Sequence, residues 1–169
     1  MGMLVILQPD DLPSGSQDEK HVLLTVQPRI AAGSLQMVEL PAGMVDGSTF
    51  VGAAAKEIKE ELGLEIPQDD LINLTELAIP DAEGEDMPKA MFPSSGGCDE
   101  SIPLFLHEKR VPRSTLKEWT GRLTGLRDEG EKITLKLVKV EDLWFEGARD
   151  AKALSALALW EGLKRNGKL

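Results

Sequence analysis

Apolar residues fall in short runs along the first forty positions. Residues 3–8 (MLVILQ) predict a buried strand and residues 21–27 (HVLLTVQ) a second. The segment 9–20 between them has the Pro, Gly, Ser and Asp content of a loop, so the two strands read as a hairpin with a long connection. A third extended run covers 34–40, and a glycine-bearing turn follows at 41–47. From Phe50 the period changes. Val51, Ala55, Ile58 and Leu62 fall within an arc of about 60° at a hundred degrees per residue, which predicts a helix packed on that side. Gly63 is placed to end it. Residues 71–79 read as a strand, 80–97 as irregular, and 101–109 as extended, with Pro103 marking a strand start or an edge. The stretch 114–119 is too short to assign. Alternation over 132–140, with Ile133, Leu135 and Leu137 against Lys132, Thr134 and Lys136, predicts a half-buried strand. The last element, 150–165, reads as a helix capped by Asp150, packed through Leu154, Leu157 and Trp160, with Gly167 beyond its end. Strands flanking two well-marked helices give a mixed α/β or α+β fold, read as a single domain over 1–169.

Chemistry enters with the helix after Phe50. Glu57, Glu60 and Glu61 stand three and four residues apart, which brings their carboxylates onto one side, next to the packed side. Like charges so spaced destabilise a helix modestly. A hard divalent cation such as Mg²⁺ or Mn²⁺, which favours oxygen ligands, offsets that repulsion. The backbone carbonyl of Ala42 adds an oxygen if the turn folds against the helix. The competing reading is a solvated acidic face, with Lys56 and Lys59 nearby.

Charge and composition narrow the partners. The 19 Lys and Arg against 29 Asp and Glu give a net charge of −10, which disfavours nucleic acid and anionic membranes. It leaves room for an anionic small molecule, because a bound divalent ion reverses the local field. Cys98 is the single cysteine, so neither an intrachain disulfide nor a Cys-rich zinc site is available. Cys98 reads as packed, since no neighbouring feature marks an activating base. His21 and His107 are isolated and read as structural or exposed. Trp119 reads as stacking on a nucleobase or packing a subunit contact, and Trp144 and Trp160 as packing around the last helix. No basic leader followed by an apolar run opens the chain and no apolar span approaches membrane length. A cytoplasmic protein is therefore expected, with an organelle as the alternative. Neither GxxxxGK[ST] nor GxGxxG occurs, which removes the usual support for an ATPase or a dehydrogenase.

The stretch GMVDGSTFVGAAAKEIKEELGL, residues 43–64, resembles the signature of the Nudix hydrolases, which cleave nucleoside diphosphates linked to a further group. Its second half, KEIKEELGL, matches closely. In its first half, Lys56 stands at the usual arginine, the spacing from Gly43 is one residue short, and Ser48 or Thr49 falls where the first glutamate belongs. The resemblance implies an α/β/α sandwich with a mixed sheet, a signature loop-helix-loop and a C-terminal helix. It also implies that Glu57, Glu60 and Glu61 bind divalent metal.

LLTVQPRIAAGSLQMVELPAGMVD, SSGGCDESIPLFL, TGRLTGLRDEGEKITLKLV and DAKALSALALWEGL are similar to the plant-type ADP-sugar diphosphatases, which hydrolyse ADP-ribose and ADP-glucose. That resemblance makes Arg29 a substrate-contacting arginine and Glu100 a carboxylate near the substrate, with Gly96 and Gly97 letting their loop approach closely. It makes Glu131, with Glu129 as the alternative, the acid that completes the metal cluster or deprotonates water. The implied reaction is hydrolysis of the ADP-sugar diphosphate to AMP and a sugar phosphate, dependent on Mg²⁺ or Mn²⁺. A catalytically impaired nucleotide-sugar binder or regulatory protein is the alternative, because the first half of the motif is altered. Members of that branch are often dimers and carry sequence before this region. Its apparent absence leaves a homodimer or a monomer as the expectations.

Overall fold

The computed structural model describes residues 1–43, 66–81, 84–125, 130 and 132–169. The helix expected after Phe50, with Glu57, Glu60 and Glu61, lies outside the described residues, as do Glu129 and Glu131.

Seven strands are described: β1 (Gly2–Pro9), β2 (His21–Arg29), β3 (Ser34–Glu39), β4 (Ile72–Asn73), β5 (Leu104–Val111), β6 (Leu123–Thr124) and β7 (Ile133–Lys139). They form one sheet in the order β4-β5-β1-β2-β7-β6, with β3 pairing β2 off that path. β1 and β2 are antiparallel, as expected of the predicted hairpin, and β1 runs parallel to β5 through eight paired positions, Gly2↔Leu104 to Pro9↔Val111. The sheet is therefore mixed. β1 reads as an unbroken apolar run because both of its faces are covered.

Alternation along β1 sorts the core into two layers. Met3, Val5 and Leu7 pack with Leu23, Phe105, Trp119, Ile133 and Leu135 on one face. Leu4 and Ile6 pack with Val22, Leu24, Leu104 and Leu106 on the other, under the last helix. The helices are α1 (Leu74–Ala78), α2 (Arg113–Trp119), α3 (Leu143–Glu146) and α4 (Ala151–Arg165). Helices flank a mixed sheet, as in an α/β/α sandwich. No described helix is long and apolar enough to cross a membrane.

Several expectations are corrected. The strand expected over 71–79 is two residues of β4 followed by α1, because the Asn73 side chain accepts the Glu76 N–H at 3.0 Å and starts a helix instead. Pro103 precedes β5 and marks its start: its carbonyl accepts the Gly2 N–H at 2.9 Å. The stretch 114–119 is helical, and β6 and α3 had no counterpart in the sequence reading. Within α4, Ala153, Ala156, Leu157, Trp160 and Leu163 are buried, whereas Leu154 is 39% exposed. Trp119 is a core residue, closed to a nucleobase or a subunit contact, and Trp144 is 63% exposed instead of packed. Cys98 is exposed, not packed.

Candidate functional site

A cavity of 540 Å³ opens where β2 ends, β3 ends and α4 begins, lined by Arg29, Glu39, Ala42, Glu100, Asp150 and Lys152 among others. Its size falls in the range of about 300–1,000 Å³ typical of small-molecule sites. The elements explain the convergence. Arg29 is the last residue of β2 and Glu39 the last of β3, and Thr25 pairs with Glu39 across these antiparallel strands. A register shift between Gln27 and Arg29 accompanies the short β2–β3 connection. Beyond Glu39 the chain runs past β1, with the Met3 N–H bonded to the Pro41 carbonyl at 2.9 Å and Ala42 bridged to Gly2. Gly43, where the signature begins, is part of the cavity wall.

The electrostatics of the described walls are nearly balanced. Arg29 Nε donates to Glu39 Oε1 at 2.6 Å. Lys152 Nζ lies 2.8 Å from Asp150 Oδ1 and 3.5 Å from Glu39 Oε2. Asp150 Oδ2 accepts the Leu40 N–H at 2.8 Å. Glu39 and Asp150 are buried, Arg29 is half-exposed, and Glu100 stands exposed on the cavity's rim.

Of the residues expected from sequence, Arg29, Ala42 and Glu100 meet at this cavity. Gly97 does not line it. Its N–H bonds the Ser94 carbonyl at 2.9 Å in a turn, and an added Cβ would lie 3.0 Å from Ser94 Oγ. Glu57, Glu60, Glu61, Glu129 and Glu131 are outside the described residues. The ends of their segments are placed, however. Gly43 lines the cavity and Ile66 is buried in the first core layer. The pair Val26↔Thr134 sets the start of β7 at the Arg29 end of β2.

Sequence reasoning missed Glu39 and Lys152. Their signal is faint, because the contact joins residues 113 positions apart. A carboxylate between Val38 and the buried Leu40 was the one local hint.

Among the described residues no group of three or more His, Cys, Asp or Glu could hold a metal ion. Glu39 and Asp150 are already committed to cations and backbone. Among the described residues the cavity lining contains no cysteine and no histidine. Its further donors are oxygens, Glu100 and the backbone near Ala42, which suit Mg²⁺ or Mn²⁺.

A mixed sheet between helix layers, with a polar cavity at the strand ends, defines an α/β/α sandwich. The NUDIX domain matches residues 15–157, and the chain belongs to the Nudix family. It is 36% identical over 169 residues to "Nudix hydrolase 14, chloroplastic" of Arabidopsis thaliana, covering 99% of this chain and 50% of that protein. The chain thus spans about half the length of the curated relative it matches. Two solved structures share the fold. One is a C. elegans Ap4A hydrolase binary complex, with TM-score 0.56, 16% identity, and coverage of 98% of this chain and 96% of that one. The other is an ADP compounds hydrolase, with TM-score 0.57, 22% identity, and coverage of 99% and 75%.

Proposed function

We propose that this protein is a divalent-metal-dependent hydrolase that splits the diphosphate of ADP-sugars such as ADP-ribose and ADP-glucose into AMP and a sugar phosphate. The observation that carries the reading is the cavity where Arg29, Glu100 and the Gly43 end of the signature segment converge. The sequence resemblance to the ADP-sugar branch supports the substrate class, and similarity to Nudix hydrolase 14 supports the hydrolase class.

In this reading Glu57, Glu60 and Glu61 hold the metal, with the Ala42 carbonyl beside them. Bound Mg²⁺ or Mn²⁺ supplies charge neutralisation for the diphosphate and lowers the pKa of water. Glu131, or Glu129 in its place, takes the proton from the attacking water. The water oxygen bonds to one phosphorus as the bond to the bridging oxygen breaks, and the departing phosphate keeps that electron pair. Arg29 offers its guanidinium to the diphosphate oxygens, where negative charge accumulates. Glu100 lies on the substrate side of the cavity, and Gly97 keeps the adjoining turn compact.

The test is AMP release from ADP-ribose and ADP-glucose with Mg²⁺ or Mn²⁺. Glu61→Gln is expected to lower kcat by about a hundredfold or more while preserving the fold, the scale of losing a group that holds the metal. Undiminished turnover in that variant refutes the role of Glu61.

Lys56 and the missing first glutamate of the motif favour a second reading, a nucleotide-sugar binder without turnover. Saturable binding of ADP-ribose with no AMP formed, at the same metal concentration, selects it. The word "chloroplastic" in the relative's name supports an organelle over the cytoplasm, and fractionation of tagged protein decides between them. Sedimentation decides between monomer and homodimer.

A further inference from the structure

Four charged side chains form a ladder along the cavity wall. Asp150 holds the Leu40 N–H and Lys152 Nζ, Lys152 Nζ reaches Glu39 Oε2, and Glu39 Oε1 takes Arg29 Nε. Side-chain exposure rises from 4% at Asp150 and 6% at Glu39 to 15% at Lys152 and 45% at Arg29. Only the outermost member meets solvent freely. Among the described residues, no hydrogen bond reaches the two terminal nitrogens of Arg29.

A buried ion network is a weak source of stability, because desolvating the charges offsets most of their attraction. Its geometry has a chemical consequence instead. A carboxylate facing one arginine tends to take it in a two-pronged pair, which uses Nε together with a terminal nitrogen. Lys152 lies beside the second oxygen of Glu39, and the arginine is held through Nε alone. Its terminal nitrogens, which no described residue takes up, are then left for whatever occupies the cavity that Arg29 lines.

We propose that Lys152 is a positioning residue for diphosphate recognition: by engaging Glu39 Oε2 it restricts Arg29 to a single contact and leaves the guanidinium fork for the phosphate oxygens. This rests on the ADP-sugar reading. It adds that Lys152 acts through Arg29 and not on the ligand itself.

A double-mutant cycle tests the idea, with calorimetric binding of a non-hydrolysable methylene analogue of ADP-ribose. Arg29→Met is expected to weaken binding about thirtyfold and Lys152→Met about tenfold, while the double variant stays within about twofold of Arg29→Met. Lys152→Gln, which keeps a donor beside Asp150, is expected to fold like the parent and to weaken binding as Lys152→Met does. Multiplied effects in the double variant overturn the proposal, because Lys152 would then touch the ligand independently. So does unchanged affinity in both Lys152 variants. The Arg29 Nε–Hε resonance supplies a readout without ligand: it is expected to shift in Lys152→Met, and a resonance that stays put counts against the proposal. A parent protein that binds no analogue refutes the ADP-sugar reading, and with it the role in recognition, whatever the resonance does.

Discussion

His107 shows how one residue couples the core to pH. It sits buried in β5, with Nδ1 3.3 Å from the Asp70 carbonyl and no partner at Nε2 among the described residues. Burial lowers its pKa below the ordinary 6.5; the Asp70 carbonyl opposes the shift and the Lys109 charge adds to it. The neutral ring is therefore the form the fold accepts. The contribution to stability is complete above pH 6.5 and is lost as pH falls from there through the folded-state value, because the unfolded chain binds the proton more readily. Urea midpoints between pH 7.5 and 5.5 should fall more steeply for the parent than for His107→Gln, and equal slopes would exclude His107 as the cause. At this scale the sequence showed an isolated histidine without ligand spacing but not its burial. The tryptophans make the same point. Trp119 stands between the polar Glu118 and Thr120 and Trp144 between the apolar Leu143 and Phe145, yet the first is sealed in the core and the second is open to solvent. Which it is depends on what the sheet brings opposite.

The corner between α3 and α4 illustrates the element scale. Gly147 ends α3, and a Cβ there would lie 2.8 Å from Ala153 Cβ and 3.1 Å from the Leu143 carbonyl. Gly147→Ala should cost about 1–3 kcal/mol through overpacking, measured by chemical denaturation, with little cost if the corner can open. Asp150 then caps α4 by accepting the Lys152 N–H at 3.1 Å while holding Leu40 of a distant segment. Asp150→Ala loses the cap and leaves a buried N–H unpaired, so a loss of about 2–4 kcal/mol is expected in the same measurement. The cap was legible in the sequence because capping is local. The bond to Leu40 was not, since it spans 110 positions. The same division explains the region after Leu71. Its apolar residues fit a strand by spacing, and only the side chain of Asn73, folded back on the third residue ahead, turns it into a helix.

At the scale of the molecule, the two core layers are built from apolar residues packed on both faces of the sheet. Under the proposed hydrolase reading, chelation should abolish AMP release while leaving the far-UV circular dichroism of the folded state, with activity returning on addition of Mg²⁺. Loss of the spectrum on chelation would mean that metal is needed for folding. The mixed α/β architecture was legible because the strands around the site carry strong apolar runs. The cavity was only partly legible: Arg29 and Glu100 were expected through resemblance and Ala42 from the turn after β3, whereas Glu39 and Lys152 meet only through the pairing of β2 with β3 and the seating of α4.

The parallel pairing of β1 with β5 also bears on synthesis. β1 is synthesised well before its parallel neighbour, which is complete only at Val111. Until then its apolar residues lack a neighbour on that side and form a sticky ribbon open to other chains. A nascent chain halted before Val111 should therefore yield aggregates and depend on chaperones, not settle as a smaller folded unit.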